Sequence, residues 1–142
     1  MTWGDANAWE EQLIADVRAN GGTPSQGPLA GHPIGILYTT GAKSGERRRS
    51  IVTYSRDGDD YLIAGTNNSR PKNPAWVANI AANPNVEIEI ANEEFPVRGE
   101  LLRGDDRERA WKQHVEQLPW FGKYEETITG REIPVVRLRR TA

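Results

Sequence analysis

Short runs in which apolar and polar residues alternate make up most of the chain, and turn-forming glycine, proline and asparagine residues separate them. Alternation with a period of two is typical of strands with one buried face. The runs span residues 34–40, 48–55, 61–65, 85–90, 95–101 and 133–138. No helical segment separates the first three runs, so the pattern predicts three consecutive antiparallel strands. It argues against a doubly wound nucleotide-binding fold.

The N-terminal 22 residues contain a predicted amphipathic helix over 5–19, which Asn20 and two glycines end. Trp9, Leu13 and Val17 fall on one stripe of this helix. The stripe either docks on the sheet or, because Trp3 and Trp9 are large side chains, forms a lid over a substrate. Four acidic residues against one arginine disfavour binding of the helix to an anionic membrane surface.

Two further helices are predicted between the later strands. Asn73 as N-cap and Pro74 as first helical residue start a short helix. Asp105 and Glu108 resemble a capping box at the start of the next helix, which Pro119 ends. The pattern predicts a mainly β, α+β fold with three to four flanking helices. Six to seven antiparallel strands that close into a small barrel leave no exposed sheet edges.

Two glycines, Gly41 and Gly45, interrupt the chain between the first two predicted strands and form a cationic elbow, residues 41–46. Glycine adopts positive φ readily, so successive N–H groups of the elbow can point into one concavity. Lys43 and Arg47–Arg49 supply cations, and guanidinium groups bind phosphate or carboxylate in pairs. The elbow predicts a site for a ligand with several negative groups, and an ordinary solvated hairpin is the alternative. It is not a Walker A loop, because Lys43 lies between the glycines.

The overall composition limits the class of ligand. A net charge of −2 argues against a general nucleic-acid binder, since such proteins present a basic surface. The cationic elbow therefore suggests a small anionic ligand. With 37% apolar and 27% charged residues, the 142-residue chain fits one soluble domain over residues 1–142. A signal peptide and an apolar span of about 18 residues are both missing, so a cytoplasmic protein is expected.

The chain contains no cysteine, which excludes disulfides, iron–sulfur clusters and thiolate zinc sites. Redox chemistry therefore requires a bound cofactor. His32 and His114 lack the spacing of metal ligands and are predicted to be structural or surface residues. No metal site is predicted.

An aromatic segment, residues 118–124, contains Trp120, Phe121 and Tyr124 next to a proline and a glycine. These rings either belong to the core or form the wall of a site for a flat substrate. The second interpretation predicts a small hydrophobic or aromatic molecule as the partner of the cofactor.

Six motifs follow one another in a characteristic order. They are Thr-Thr-Gly-Ala-Lys-Ser-Gly at 39–45 with the basic strand after it, Arg-Asp-Gly at 56–58, Asn-Pro-Ala-Trp at 73–76, Asn79, Asn-Pro at 83–84 and Arg-Glu-Ile-Pro-Val-Val at 131–136. Over residues 19–138 this order resembles the deazaflavin-dependent nitroreductases. The resemblance implies an FMN-binding-like split β-barrel. It also implies coenzyme F420, a deazaflavin with a phosphodiester and an oligoglutamate tail.

The resemblance also implies the site residues. Those expected to bind the cofactor are Lys43, Ser44, Arg47, Arg48, Arg49, Ser50, Ile51, Val52, Thr53, Ala64, Gly65, Thr66, Ala75, Trp76 and Asn79. Trp120, Phe121 and Tyr124 are expected to border the substrate, with Tyr124 as proton donor or substrate-orienting group. The family usually has arginine at Ala42 and often lysine at Asn67. The cations that can compensate for these departures are Arg47, Arg49, Arg70 and Lys72.

The implied activity is oxidoreduction, in which reduced F420 donates a hydride to a quinone, a nitroaromatic compound or an activated alkene. Two alternatives stay open: a split-barrel flavoprotein that binds FMN, and a carrier that binds F420 without turnover. The sequence also leaves open whether the protein is a monomer or a homodimer.

Overall fold

The computed structural model describes residues 3–142, with side chains from Ala8 onward. Trp3, which is predicted to form part of a lid, lies outside the residues whose side chains are described. The strands are β1 (Ile34–Thr40), β2 (Arg47–Thr53), β3 (Ser55–Asp57), β4 (Asp60–Ala64), β5 (Asn85–Ile90), β6 (Glu93–Leu101) and β7 (Val135–Arg140). The α-helices are α1 (Trp3–Ala19), α2 (Ala75–Ala82), α3 (Gly104–Gln117) and α4 (Tyr124–Thr127). Two 3₁₀ segments cover Asn67–Ser69 and Pro119–Lys123.

The strands form one antiparallel sheet in the order β2-β1-β5-β6-β7-β4-β3. The sheet curls, so that β2 at one end and β4 near the other line a common cleft. An antiparallel sheet that curls without closing is a split barrel, and the seven strands have four α-helices around them. The predicted fold class is confirmed.

One predicted pairing was wrong. The run over residues 48–55 divides at Tyr54, so that β2 pairs with β1, whereas β3 pairs with β4 at the opposite end of the sheet. At the crossing, the N–H of Tyr54 donates to the carbonyl of Pro33 at 3.2 Å, and its ring packs edge-on against Tyr61. The alternation of side chains continues through the break, so periodicity does not reveal the change of partner.

Both faces of the sheet are buried, because successive residues of its strands point to opposite sides. One face packs against α2, in a cluster that includes Leu37, Ile63, Ile88, Leu138, Trp76 and Ile80. The other packs against α3 and the aromatic segment, in a cluster that includes Leu62, Val135, Trp111, Leu118 and Phe121. The aromatic segment is thereby fixed next to β4.

Helix α1 docks on the sheet through Val17 of the predicted stripe and through Ile14, which lies outside that stripe. Ile14 and Val17 are 2% and 3% exposed, whereas Trp9 is 56% exposed. Arg18 at the end of the helix donates from Nε and Nη2 to the carboxylate of Glu89, both at 2.9 Å. The predicted helix and its docking are confirmed, and Trp9 is left at the surface.

The predicted helix starts need correction. Pro74 is the N-cap of α2, and Asn73 instead accepts a hydrogen bond from Arg131 at 2.8 Å. Asp105 lies inside the first turn of α3, and no side chain caps that helix. Glu108 pairs with Arg107 at 2.8 Å, so the predicted capping box is absent.

Candidate functional site

The two ends of the curled sheet enclose an open cleft with a volume of about 590 Å³. One side of the cleft is formed by β2, and the opposite side by the end of β4, the loop after it and the start of α2. The aromatic segment supplies a third wall, and Trp9 of α1 lies at the rim with the loop before β1. The cleft thus occupies the gap where the barrel is split.

Many of the residues predicted from the sequence meet in this cleft. Those that line it are Ser50, Ile51, Val52, Thr53, Ala64, Thr66, Trp76, Trp120, Phe121 and Tyr124. Those that lie outside its lining are Lys43, Ser44, Arg47, Arg48, Arg49, Gly65, Ala75 and Asn79. The structure therefore brings part of the predicted cofactor residues together with the predicted substrate residues, and it places the cationic elbow beyond the N-terminal end of β2.

Several lining residues were not identified from the sequence. They are Pro28, Leu29, Asn67, Asn68 and Pro74. The loop that carries Pro28 and Leu29 is rich in glycine and proline, a composition typical of a connecting loop that gives no sign of a binding role. Trp9 also lines the cleft, and its part in a lid stays a prediction.

The backbone of β2 is itself part of the site. β2 is an end strand whose hydrogen-bonded partner is β1. Because backbone groups of a strand point alternately to its two sides, every second residue of β2 has an N–H and a C=O directed away from β1. Ser50–Thr53 line the cleft in this segment. A flat heterocycle with donors and acceptors along its edge can hydrogen-bond to such a strand.

The cationic elbow does not form the predicted concavity of free N–H groups. Gly41 N–H donates to the carbonyl of Glu46 at 2.7 Å, and Gly45 N–H donates to the carbonyl of Gly41 at 2.9 Å. Of the two glycines, only Gly45 has a positive φ, 71°. A Cβ at Gly41 would require Ser44 Oγ to move away. An anion at the elbow depends on side-chain cations and not on a backbone nest.

The three consecutive arginines of β2 divide between the two faces of the sheet, because side chains alternate along a strand. Arg48 shares a face with Ser50 and Val52, which line the cleft. Arg47 and Arg49 point to the opposite face. Ile51 and Thr53, on the face of Arg47 and Arg49, line the cleft as well, so both faces of β2 border it.

Carboxylates hold the two outer arginines. Arg47 Nη2 lies 3.0 Å from Glu94 Oε1. Arg49 contacts Glu10 at 2.9 Å and Glu11 at 2.7 Å on α1. Burial acts to lower the pKa of Arg49, but its hydrogen bonds to these two carboxylates raise the pKa overall. Both arginines thus stabilise packing around β2.

Arg48 is held less firmly. Its Nη2 lies 3.4 Å from Ser44 Oγ and 3.4 Å from the exposed carboxylate of Glu46. Lys43 is exposed next to it and forms no ion pair with the residues whose side chains the structure describes. Lys43 in the elbow and Arg48 at the start of β2 are therefore the two cations of this region that are most available to a ligand.

Asn79 connects the elbow to α2. Its Oδ1 accepts from Ala42 N–H at 2.9 Å, and its Nδ2 donates to Thr39 Oγ1 at 3.0 Å. The side chain is buried. Asn79 therefore fixes the backbone next to Lys43, while Trp76 of the same helix reaches the cleft.

The aromatic wall is built outward from the core. Phe121 is buried and packs edge-on against His114, with ring centroids 4.4 Å apart. Trp120 packs edge-on against His32 at 4.2 Å, and Tyr124 lies 5.4 Å from Phe121. Tyr124 is half-buried, and its hydroxyl has no hydrogen-bond partner among residues 8–142. A cleft ligand can therefore accept a hydrogen bond from this phenol.

His114 is a core residue. Its side chain is 0% exposed, and Nδ1 and Ser55 Oγ are 2.6 Å apart. Within residues 8–142 no three histidine or carboxylate side chains converge as a metal site. None of the helices within residues 3–142 combines the length and apolarity needed to cross a bilayer.

A family model described as F420H(2)-dependent quinone reductase matches residues 9–140. The chain belongs to the F420H(2)-dependent quinone reductase family. The F420H(2)-dependent quinone reductase Rv1261c of Mycobacterium tuberculosis is 36% identical over 110 residues, which cover 76% of this chain and 74% of the relative. The chain is thus an F420H2-dependent reductase with F420 as cofactor, and its activity is hydride transfer from F420H2 to a quinone. The FMN and carrier alternatives are superseded.

Solved structures agree with this family. An F420-H2 dependent reductase, FDR-A, is 33% identical with a TM-score of 0.67, covering 75% of this chain and 94% of that chain. A structure described as a domain-swapped dimer is 29% identical with a TM-score of 0.69, covering 95% of this chain and 99% of that chain. Both solved structures therefore resemble this fold over most of their length.

Proposed function

We propose that the cleft holds the deazaflavin ring of F420 against β2 and that the aromatic wall receives the quinone. The observation that carries this proposal is the meeting, in one open cleft, of the unpaired backbone edge of Ser50–Thr53 with Trp120 and Tyr124. A flat ring on one side and a flat acceptor on the other use both features. F420 supplies the hydride when it is bound.

The residues present fit this cofactor. A volume of about 590 Å³ lies within the range of small-molecule sites. The backbone of β2 offers donors and acceptors to the edge of a ring, while Ala64 and Trp76 provide apolar contact. Because the lining is largely apolar, binding of a ring displaces water from the cleft and strengthens the hydrogen bonds within it.

The anionic tail of F420 is assigned to Lys43 and Arg48. The two contacts of Arg48, both at 3.4 Å, can be exchanged for a phosphate or carboxylate. Arg47 and Arg49 are engaged by carboxylates, so their contribution to the tail is through longer-range charge. Asn79 supports this end of the site by holding the backbone at Ala42.

Tyr124 is assigned as hydrogen-bond and proton donor to the acceptor. Reduction of a quinone leaves negative charge on oxygen, and a phenol in reach can neutralise it. Tyr124 lines the cleft, and no residue from 8 to 142 accepts a hydrogen bond from its hydroxyl. Trp120 then orients the plane of the acceptor.

We extend the acceptor class to nitroaromatic compounds and activated alkenes. The wall recognises a flat apolar molecule, and a phenol can donate to a nitro or carbonyl oxygen as well as to a quinone oxygen. The assembly is proposed to be a homodimer, by analogy with the relative described as a domain-swapped dimer. Light scattering after gel filtration measures the mass that decides between dimer and monomer.

An anaerobic absorbance titration with F420, followed by oxidation of F420H2 with menadione, tests the assignment of the cleft. Ala64→Leu fills the cleft without changing charge and is expected to abolish saturable F420 binding. Ala78→Leu, at an exposed position of α2, is the matched control and keeps wild-type binding. Wild-type affinity in Ala64→Leu would place the ring elsewhere.

A further inference from the structure

The loop after β4, residues 65–73, forms one wall of the cleft in an uncommon backbone conformation. Asn67, Asn68 and Ser69 are consecutive non-glycine residues with φ of 49°, 55° and 63°. The left-handed region crowds the Cβ of an L-residue, so single residues visit it and runs are disfavoured. Asn67 and Asn68 nevertheless line the cleft. The surrounding structure must hold this turn in place.

Arg131 is bound to the loop through every N–H of its guanidinium. Nη1 donates to Gly65 O at 3.0 Å and to Asn73 Oδ1 at 2.8 Å. Nη2 donates to Thr66 O at 3.0 Å and to Arg70 O at 3.0 Å, and Nε donates to Arg70 O at 3.3 Å. These hydrogen bonds use every N–H donor of the guanidinium fork. The acceptors lie on both sides of the left-handed turn.

These acceptors are uncharged oxygens. Burial lowers the pKa of Arg131, and its five hydrogen bonds end on backbone carbonyls and one amide. An arginine that neutralises a negative charge contacts a carboxylate. The guanidinium of Arg131 instead contacts uncharged oxygens that are arranged along one loop. The side chain therefore acts on backbone conformation.

We propose that Arg131 is a positioning residue of the cofactor cleft, whose fork clamps residues 65–73 so that the left-handed turn presents its wall to the ring. The proposal rests on the assignment of the cleft to F420. Arg131 is not among the residues that line the cleft, so it acts through the loop. Ser69 Oγ and Thr127 Oγ1, 2.8 Å apart, tether the same turn to α4.

Arg131→Lys separates shape from charge, since lysine keeps the positive charge but lacks the fork. Misplacement of a binding wall by about 1 Å can cost up to roughly a hundredfold. Both Arg131→Lys and Arg131→Ala are therefore expected to weaken F420 binding about ten- to a hundredfold, and to raise KM for F420H2 more than they lower kcat.

Arg139→Ala is the matched control for these two variants. Arg139 is an exposed arginine with a partner, Asp60 at 3.3 Å, and it lies outside the cleft. Its loss should leave F420 affinity unchanged. Wild-type affinity in Arg131→Lys would show that the guanidinium fork is not required and would overturn the proposal.

Substitutions at Ser69 test whether Arg131 is needed because the turn has positive φ angles. Glycine adopts positive φ without a Cβ penalty, whereas Ser69→Ala keeps the penalty and loses the same contact with Thr127. In the Arg131→Ala background, Ser69→Gly should bind F420 severalfold more tightly than Ser69→Ala. Equal affinities of the two double variants would contradict the clamp of a strained turn.

Hydrogen exchange of the ligand-free protein separates this proposal from the assignment of the cleft. The backbone amides of residues 66–70, 72 and 73 should exchange faster in Arg131→Lys than in the wild type, while those of β5 and β6 stay unchanged. Unchanged loop exchange overturns the clamp. Faster exchange with wild-type F420 affinity overturns its role in cofactor binding. Failure of the wild-type protein to bind F420 refutes the assignment of the cleft instead.

Discussion

His114 is expected to make the core sensitive to acid. Its imidazole is fully buried, Nδ1 and Ser55 Oγ are 2.6 Å apart, and Nε2 has no hydrogen-bond partner among residues 8–142. The rings of Phe121 and Trp111 pack around it, with centroids 4.4 Å and 6.2 Å away. Protonation would add a charge and a second N–H donor without an acceptor. Burial therefore lowers the pKa of His114 from 6.5 to about 4.

The sign of the effect follows from proton binding in the two states. The unfolded chain takes up the proton of His114 near pH 6.5, and the folded protein takes it up near pH 4. This group therefore leaves stability unchanged above pH 6.5 and lowers it as the pH falls through that window. The complete loss is roughly 3 kcal/mol, since one pKa unit corresponds to about 1.36 kcal/mol. About 2 kcal/mol of the loss is expected by about pH 5.

Urea unfolding of the wild type and of His114→Asn near pH 7, 6 and 5 isolates this contribution. Asparagine keeps a polar atom near Ser55 and does not titrate, but it leaves a cavity. The variant should be less stable near pH 7, and the difference in unfolding free energy should narrow by about 2 kcal/mol at about pH 5. His32→Asn, which removes the other imidazole, is the control. Parallel pH profiles for the wild type and His114→Asn would refute the reasoning.

Three further outcomes follow from the cleft and are measured by titration and steady-state kinetics with menadione. Lys43→Ala and Arg48→Ala should each weaken F420 binding roughly ten- to a hundredfold, less so at high salt, while Arg47→Ala changes little. Unchanged F420 affinity in the first two variants would refute the assignment of the F420 tail to Lys43 and Arg48. Tyr124→Phe should lower kcat about a hundredfold at constant F420 affinity, and a wild-type rate would exclude the phenol. Trp120→Ala should raise the KM for menadione more than it lowers kcat. An unchanged KM would contradict the proposal that Trp120 contacts the acceptor.

The strand pattern predicted most of the fold, but not which sheet ends face each other. Alternation identifies a strand and its buried face, and it carries no information on the neighbour with which the strand pairs. β2 and β3 therefore looked like one strand, although they lie at opposite ends of the sheet. Because the cleft lies in the gap between those ends, its location followed from the family resemblance and not from periodicity.

Other parts of the site could be predicted from local rules. Alternation along β2 already implies that Arg48 faces away from Arg47 and Arg49, so the basic run is not a single patch. By contrast, the five hydrogen bonds of Arg131 reach acceptors that are between 58 and 66 positions away in the sequence, and no local pattern indicates them. Phe121, predicted as a wall residue, is 6% exposed and also packs on His114, so Phe121→Ala tests stability together with substrate binding.

The gap in the barrel explains why these features occur in one place. An end strand with unpaired backbone groups invites aggregation unless it is covered. In this chain α1 flanks β2 through Arg49, and the remaining open stretch, Ser50–Thr53, faces the cleft. A cofactor ring that hydrogen-bonds to this stretch would cover the edge that the fold leaves open. Binding and protection of the edge are then one interaction, so F420 should also raise the melting temperature of the wild type and should fail to do so in Ala64→Leu.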